Sequence, residues 1–186
     1  MVISGPGGVG KGTVVARVMQ LDPDLWLSRS WTTRQRRPGE SEDAYTFVDH
    51  DTFQKRVDEG GFLEHAGFLD NFYGTPYPDP TPGADVVLEI DVQGAEQVRA
   101  REPEALLIFV TAPSLEVQEQ RLRGRGDSEE QVQKRLQVTR DEIAAGERLG
   151  ATFVINDDLD LAAHQILELI RTHRPAGDVA PGDRSS

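Results

Sequence analysis

A glycine-rich segment at residues 5–13, GPGGVGKGT, constrains the fold of this chain more than any other part of its sequence. Val2 and Ile3 before it are typical of a buried strand, and the valines after it recur at helical spacing. Repeated glycine at such a junction lets backbone N–H groups converge on an anion, because no side chain blocks the approach. The segment therefore predicts a phosphate-binding loop, with an ordinary strand-to-helix turn as the alternative. The residues expected to bind a nucleoside triphosphate are Gly5, Gly7, Gly8, Val9, Gly10, Lys11, Gly12 and Thr13.

The lysine of this loop and the residue after it bear on the chemistry. Lys11 is predicted to bridge the β- and γ-phosphates as a point charge, aided by the positive end of the helix that opens near it. The strict phosphate-loop pattern has serine or threonine directly after the lysine, where its hydroxyl binds magnesium. Here that position is Gly12, and Thr13 follows one residue later. The loop thus predicts a nucleotide site without the usual magnesium-binding hydroxyl.

The composition of the 186 residues narrows the class of protein. This length suits one well-buried domain rather than two. The chain has no cysteine, which excludes disulfides and cysteine-based metal or nucleophile sites. Its net charge of -12 argues against general nucleic-acid binding, and no apolar run or leader segment indicates a membrane or export. We therefore expect a cytoplasmic protein with neither nucleic acid nor membrane as a partner, and the sequence carries no signal for an oligomeric state.

Apolar runs alternate with helical patterns in the order of a parallel sheet with crossover helices. The expected strands are residues 1–4, 85–91, 105–111 and 152–156. The expected helices are one that ends before Pro23 and residues 93–101, 114–123, 128–147 and 158–172, of which 128–147 opens with a capping box of Ser128 and Gln131. This pattern predicts an α/β fold with a three-layer core of the P-loop NTPase type, in which helices flank a central parallel sheet.

The segment between the first helix and residue 85 has a different character. It carries short aromatic and threonine-rich runs around one expected helix at residues 51–59, and we interpret it as an inserted lobe. Residues 75–85, TPYPDPTPGAD, contain four prolines and so predict an extended connector rather than a helix or a central strand.

Two groups of arginines stand out in an otherwise acidic chain. The first, in SWTTRQRRPGE at residues 30–40, suits a monoester phosphate held by forked guanidinium bonds, with Arg34 and Arg37 as the candidates. Tyr45 and Tyr73 are candidate phenolic donors to the same phosphate. A solvated basic loop and half-buried packing tyrosines are the alternatives. The second group is RLRGRG, residues 121–126.

Several motifs occur in the order found in guanylate kinases, and the chain resembles that family over residues 1–172. They are the phosphate loop, the TTR segment, FLEH, FYGT, LEIDVQGA, RLRGRG and VINDD. The resemblance implies a single domain at residues 1–173, with a core of residues 1–28, 85–120 and 148–173, a GMP-binding lobe at 29–84 and a short helical lid at 121–147. Residues 174–186 lack core-forming side chains and are expected to be a disordered tail.

The resemblance implies which residues bind GMP. Ser30, Glu64, Thr75 and Asp91 match the positions that recognise guanine in the family. A carboxylate suits that base, because it accepts from both N1–H and N2–H of guanine, whereas adenine presents the wrong donor pattern. The phosphate of GMP is expected to contact Arg34, Arg37, Tyr45 and Tyr73.

The resemblance also implies the ATP side and the reaction. The catalytic residues carried over are Lys11, Arg34, Arg121, Arg125 and Arg135, which offset charge on the transferred phosphoryl group. Asn156 matches a position near adenine, with a helix cap as its alternative role, and salt bridges with Glu119, Glu129 or Glu130 are the alternative for the arginines. Magnesium is expected to bind with ATP without a direct protein ligand, Glu89 acting through water. The implied reaction is direct in-line transfer of the γ-phosphoryl group of ATP to GMP or dGMP, giving ADP and GDP.

Three segments depart from the family pattern. The loop GESEDAY is one residue short, the lid is one residue short after Gly126, and the connector at residues 75–85 replaces a helix. Two alternatives therefore remain beside a guanylate kinase. One is a guanylate-kinase-like module that binds proteins without catalysis, against which Lys11 and the lid arginines argue. The other is a kinase for another nucleoside monophosphate, against which Glu64 and Thr75 argue.

Overall fold

The computed structural model describes residues 1–37, 39–68, 70–80 and 82–174, so the predicted disordered tail lies outside the described residues from position 175 onward. Two sheets and six helices account for this part of the chain. The strands are β1 (Val2–Ser4), β2 (Leu25–Leu27), β3 (Trp31–Thr32), β4 (Thr46–Phe47), β5 (Phe62–Phe68), β6 (Asn71–Pro76), β7 (Asp85–Glu89), β8 (Leu107–Thr111) and β9 (Thr152–Ile155). The helices are α1 (Lys11–Leu21), α2 (His50–Asp58), α3 (Val92–Arg101), α4 (Leu115–Gly124), α5 (Glu129–Arg148) and α6 (Leu159–His173).

The larger sheet is parallel throughout, with the strand order β2-β7-β1-β8-β9. Consecutive side chains of β1 face opposite sides. Ile3 packs into the cluster formed with α1 and α6, and Val2 packs with Leu88 and Leu107 against α3. Phe109 of β8 meets α5 on that second side. Helices therefore cover both faces, and the predicted three-layer α/β core is confirmed.

The strands and helices expected in the core are present with small shifts at their ends. The expected capping box of Ser128 and Gln131 opens α5 as predicted. The strand expected to reach residue 91 ends at Glu89, because the side chain of Asp91 accepts from the N–H of Gly94 and caps α3 instead. The sequence analysis missed β2, a three-residue strand at the edge of the sheet whose pairing with β7 supplies its order.

The smaller sheet is mixed, with the strand order β4-β3-β6-β5. All four strands lie between residues 31 and 76, within the predicted lobe, whose limits stay a prediction. Its main part is the antiparallel pair of β5 and β6, on which α2 packs through Phe53 stacked on Phe62 at 4.8 Å. The predicted connector at residues 75–85 is wrong at its ends, because Thr75 and Pro76 pair with β5 as the end of β6 and Asp85 begins β7. The described residues 77–80 and 82–84 between them form neither helix nor strand, as the prolines predicted.

Within the described ranges, none of the helices is both long enough and apolar enough to cross a membrane.

Candidate active site

A cleft of about 1380 Å³ opens where β1, β7 and β9 end, between the smaller sheet and the helices α4 and α5. This is the edge at which ligands bind in parallel α/β sheets, since the chain leaves the central strand toward both sides there. All of the predicted site residues line the cleft except Val9 and Thr75, which are fully buried behind it. The structure thus brings together residues that are up to 151 positions apart, from Gly5 to Asn156.

The phosphate loop has the conformation that its glycines permit. Gly5, Gly8 and Gly10 have φ angles of 145°, 87° and 84°, in the region where side chains cause strain. A Cβ on Gly5 would also lie 2.2 Å from the carbonyl oxygen of Val110. Gly10 is the N-cap of α1, so the helix begins at Lys11 with its positive end toward the cleft.

The ammonium group of Lys11 donates to the carbonyl oxygen of Ile90 at 2.9 Å and to that of Gly5 at 3.3 Å. It therefore lies between the loop and the end of β7. Burial raises the pKa of Glu89, the last residue of β7, and the charge of Lys11 opposes this rise only in part. A Cβ on Gly12 would lie 3.4 Å from a carboxylate oxygen of Glu89. This carboxylate consequently lies beside the position where the strict motif carries its hydroxyl.

Asn156 and Arg121 hold the loop from behind. The side-chain amide of Asn156 donates to the carbonyl oxygen of Val9 at 2.8 Å, and Arg121 donates to the same oxygen at 3.1 Å. A second guanidinium nitrogen of Arg121 donates to the backbone oxygen of Asn156 at 2.9 Å. The alternative of a helix cap does not apply to Asn156, since Asp158 caps α6. Both side chains therefore fix the backbone of the loop.

The arginines of the lobe line the middle of the cleft. Arg34 forms a forked pair with Glu40, at 2.7 and 2.9 Å, and its guanidinium lies 5.5 Å from the ring centre of Tyr45. Burial by itself would raise the pKa of Glu40, but the hydrogen bonds from Arg34 and from the N–H of Arg37 lower it overall. Tyr45 packs edge-on against Tyr73 at 6.2 Å, and burial, with the negative charge of nearby Glu89, raises its pKa. The phenol of Tyr45 is therefore a neutral donor at physiological pH.

The lid arginines face the same region from the other side. Arg125 and Arg135 both pair with Asp127, whose side chain is only 7% exposed. Burial alone would raise the pKa of Asp127, but the hydrogen bond from Arg125 and the charges of Arg125, Arg135 and Arg37 lower it overall. Arg135 also lies 5.0 Å above the ring of Phe68. Asp127 is surrounded by Arg37, Arg125 and Arg135, so this group carries a net positive charge beside the cleft.

Arg123, which matched no family position, follows the alternative expected for helix arginines. It pairs with Glu119 at 2.8 Å and with Glu129 at 3.0 Å on the surface.

The buried polar residues of the lobe form a pocket at the far end of the cleft. Glu64 is 4% exposed, and the position of a Cβ on Gly94 of α3 would be 2.5 Å from its carboxylate. The pKa of Glu64 is raised to about 7, mainly by burial and also by the charge of Asp91, while a hydrogen bond from Thr75 opposes the rise. The hydroxyl groups of Ser30 and Thr75 lie 3.1 Å apart. Thr75 therefore contacts Glu64 and Ser30 from behind, rather than lining the cleft itself.

The sequence analysis missed Glu142 and Asp127. Glu142 lines the cleft from α5, and burial raises its pKa to about 7, opposed by the charge of Lys11. It follows Arg135 by seven residues, a spacing that places both on one side of a helix, so the helical period carried a signal for it. Asp127 lies in the short link between α4 and α5, where spacing predicts nothing about which side chain it pairs with.

The carboxylates near the loop are suited to a magnesium ion that is held mainly by phosphates and water. Among the described residues there is no group of three or more histidine, cysteine, aspartate or glutamate side chains that could hold a metal alone. Glu89 is one buried carboxylate beside Gly12 and Lys11. Magnesium commonly keeps several waters and binds through one or two carboxylates plus substrate phosphates, so Glu89 fits such an ion.

Comparison with known proteins gives one consistent family. Residues 1–173 match the family model described as guanylate kinase. The chain is 47% identical over 172 residues to a guanylate kinase of Synechococcus sp. (strain CC9902), covering 89% of this chain and 91% of that protein. It is 46% identical over 175 residues to a guanylate kinase of Prochlorococcus marinus (strain MIT 9313), covering 91% and 92%. A crystal structure of guanylate kinase from Anaplasma phagocytophilum superposes with a TM-score of 0.73 at 30% identity, covering 92% of this chain and 83% of that one.

Proposed function

The chain belongs to the guanylate kinase family, and from that premise we propose that its cleft binds ATP and GMP together and catalyses transfer of the γ-phosphoryl group from ATP to GMP. It is an ATP:GMP phosphotransferase, which gives ADP and GDP. The observation that carries this proposal is that one cleft is lined both by the phosphate loop and by the buried carboxylate of Glu64. A site for a single nucleotide needs only one of these features.

The ATP end is formed by the loop and α1. The N–H groups of residues 7–11 and the start of α1 would receive the β- and γ-phosphates, and Lys11 would move from the carbonyl of Ile90 to bridge them. Thr13 lies exposed in the cleft, where its hydroxyl would contact the α-phosphate. Asn156 and Arg121 lie beyond Gly10, so they would border the nucleoside as well as hold the loop.

The GMP end is formed by the lobe. An ionised Glu64 would accept from N1–H and N2–H of guanine, with Ser30 and Asp91 beside it. Thr75 would orient Glu64 and Ser30, because it forms hydrogen bonds with both. Adenine would leave this buried carboxylate opposite an acceptor, and an unpaired buried group costs about 1–3 kcal/mol or more. The phosphate of GMP would replace Glu40 as the partner of Arg34 and would receive bonds from Arg37, Tyr45 and Tyr73. No group assigned to GMP depends on the 2′-hydroxyl, so dGMP is a second expected acceptor.

The transfer needs no covalent intermediate with the protein. A phosphate oxygen of GMP is already a nucleophile at neutral pH, so positioning and charge neutralisation are what the protein contributes. Lys11 and Arg34 act on the donor and acceptor phosphates, and Arg125 and Arg135 of the lid act between them. Arg121 contributes partly through the loop, because its guanidinium holds the carbonyl of Val9. Closing lobe and lid would exclude water and limit ATP hydrolysis.

Magnesium belongs to this proposal as the companion of ATP. When bound, it supplies a positive charge that offsets the repulsion between the two nucleotides. Glu89 would orient a water of its shell, which suits a loop with glycine at position 12. A cytoplasmic location, where these nucleotides are found, is part of the same proposal.

The test is ADP release measured with GMP, dGMP, AMP, UMP and CMP as acceptors, with and without magnesium. We expect turnover with GMP and dGMP that depends on magnesium. Absence of any GMP-dependent turnover would refute the enzyme and favour a binding module. A preference for AMP would refute the assignment of Glu64 to guanine.

A further inference from the structure

A buried series of hydrogen bonds connects α5, through α4, to the back of the phosphate loop. The side-chain amide of Gln118 in α4 donates to the carbonyl oxygen of Gly7 at 2.7 Å and to the hydroxyl of Thr139 at 3.0 Å. Thr139 in α5 donates in turn to the carbonyl oxygen of Arg135 at 2.9 Å. Gln118 and Thr139 are each only 2% exposed. None of the roles assigned above uses either side chain.

The environment of this pair would accept apolar side chains. A small cavity of about 170 Å³ behind the loop is lined by the following residues: Pro6, Val9, Thr111, Ala112, Ser114, Leu115, Gln118, Thr139 and Ile143. Most of that lining is apolar, so leucine at position 118 would bury well. A buried amide contributes little net stability, because its hydrogen bonds replace bonds to water. The reason for a glutamine here therefore lies in what it contacts.

The bond to Gly7 fixes the orientation of one peptide group of the loop. In a trans peptide the C=O of one residue and the N–H of the next point in opposite directions. The described part of the chain contains no cis peptide bond. Gln118 draws the Gly7 carbonyl to the buried side of the loop, so the N–H of Gly8 is turned to the other side, where the cleft opens. That N–H is one of the donors that a triphosphate would use.

The same series of hydrogen bonds also reaches Arg135. A Cβ on Gly7 would lie 2.4 Å from a guanidinium nitrogen of Arg135, so this side chain rests directly on Gly7. The backbone of Arg135 is tied through Thr139 and Gln118 to the carbonyl of that same Gly7. Gly7 is therefore contacted twice: the guanidinium of Arg135 lies against it, and its carbonyl is linked by hydrogen bonds to the backbone of Arg135. These contacts fix the position of Arg135 relative to the loop.

We propose that Gln118 is a positioning residue for phosphoryl transfer, which aims the Gly8 N–H at the triphosphate and, through Thr139, sets Arg135 against the loop. This inference rests on the proposed function for its kinetic part. It makes Gln118 act on the transferred phosphoryl group through the loop and not on GMP. The loss of its amide would therefore affect kcat and the affinity for the polyphosphate of ADP, whereas KM for GMP would stay the same.

The test compares wild type with Gln118→Leu and with Gln120→Leu, which makes the same change at an exposed position of the same helix. For Gln118→Leu we expect kcat to fall about tenfold, less than the ~10²–10³ lost when such a donor is removed altogether. KM for GMP should stay within about twofold of the wild-type value on the same argument. The dissociation constant for ADP, measured by titration without turnover, should rise several-fold. Gln120→Leu should match wild type in all three quantities, with thermal unfolding confirming that each variant is folded.

Variants of Thr139 test the second half of this series of hydrogen bonds. Thr139→Ser keeps the hydroxyl and should retain the wild-type kcat, whereas the isosteric Thr139→Val should lower it. Because both residues act through one series of hydrogen bonds, the Gln118→Leu/Thr139→Val double variant should be no slower than Gln118→Leu alone.

Three results would overturn the inference. They are a wild-type kcat and ADP affinity in Gln118→Leu, a loss confined to KM for GMP, or multiplicative losses in the double variant. A wild-type protein without GMP-dependent turnover would instead refute the proposed function, and the ADP titration would still decide the role of Gln118.

Discussion

Replacing Glu64 by glutamine should stabilise the free protein above neutral pH while weakening its affinity for GMP. The carboxylate is 4% exposed, and burial raises its pKa to about 7 despite the hydrogen bond from Thr75. A carboxyl group whose pKa is higher in the folded than in the unfolded state favours folding only while it is protonated. Its ionisation is therefore a cost to the fold, which the N–H groups of guanine would offset when GMP binds.

The size of this cost follows from the two pKa values. The difference between 4.5 in the unfolded chain and about 7 in the folded protein corresponds to about 3 kcal/mol, at 1.36 kcal/mol for each pH unit. The folded protein binds more protons than the unfolded chain between these values. Its free energy of unfolding should therefore fall through that window, and the full cost is present above about pH 7. Glutamine does not titrate, so the variant lacks this dependence.

At pH 8 the gain in free energy of unfolding of Glu64→Gln over wild type is smaller than the change of this difference with pH, because the glutamine amide brings two buried donors. One unsatisfied buried donor costs about 1–3 kcal/mol, which leaves a net gain of about 0–2 kcal/mol at pH 8. The difference between variant and wild type should nevertheless rise by about 3 kcal/mol from pH 4.5 to pH 8. Glu89 and Glu142 also titrate with raised pKa values, but both proteins contain them, so their contributions cancel in the difference.

The assay is urea unfolding of wild type and Glu64→Gln at several pH values from 4.5 to 8. Glu59→Gln, at an exposed position at the end of α2, is the matched control and should follow wild type throughout. Titration with GMP and with ATP at pH 7.5 completes the comparison, and we expect GMP binding to weaken far more than ATP binding. Parallel stability curves for Glu64→Gln and wild type would refute the reasoning. Equal loss of both nucleotides would indicate a misfolded variant instead of a lost guanine contact.

Three further predictions concern the loop, the core and the lid. Lys11→Ala should lower kcat by about 10³ or more while GMP binding by titration survives, and preserved turnover would remove Lys11 from its role. Gly146→Ala should destabilise the protein by about 1–3 kcal/mol in urea unfolding, because a Cβ there would lie 2.7 Å from the Phe109 ring; helix propensity alone predicts the opposite sign. Asp127→Asn should tighten binding of a non-hydrolysable ATP analogue, since the triphosphate no longer competes with a carboxylate at position 127 for Arg125 and Arg135. Weaker binding in calorimetry would contradict this competition.

The parts of the fold that sequence predicted are those whose order is local. The strands β7, β8 and β9 are continuous apolar runs, and α5 begins at a capping box, so short-range pattern was enough. By contrast β2, β3 and β4 have two or three residues each. β2 and β3 pair with the longer strands β7 and β6, and β4 pairs with β3, so tertiary pairing supplies their order. No periodicity can be read from so few residues, so these strands lay beyond sequence-based prediction.

The candidate site divides in the same way. Charged residues within motifs, such as Lys11, Arg34 and Glu64, could be proposed from the chain alone. What each contacts could not, because the partner comes from another element: Thr75 lies behind Glu64, and Asp127 joins two lid arginines. A motif thus predicts the type of side chain at the cleft, and tertiary packing determines its partners and its protonation.

The phosphate loop shows most clearly why the motif is not the whole site. Its glycines allow the positive φ angles, but they leave open which way each peptide group turns. Alternate carbonyls of the loop accept side-chain hydrogen bonds: that of Gly5 from Lys11 of the loop itself, that of Gly7 from Gln118, and that of Val9 from Arg121 and Asn156. Because residue 6 is proline, only the last two bonds turn an N–H, those of Gly8 and Gly10, toward the cleft. The donors that aim these two amides come from α4 and from the end of β9, more than a hundred residues along the chain. A chain with the same nine-residue loop and different residues at those positions would keep the turn and lose the aim of its amides.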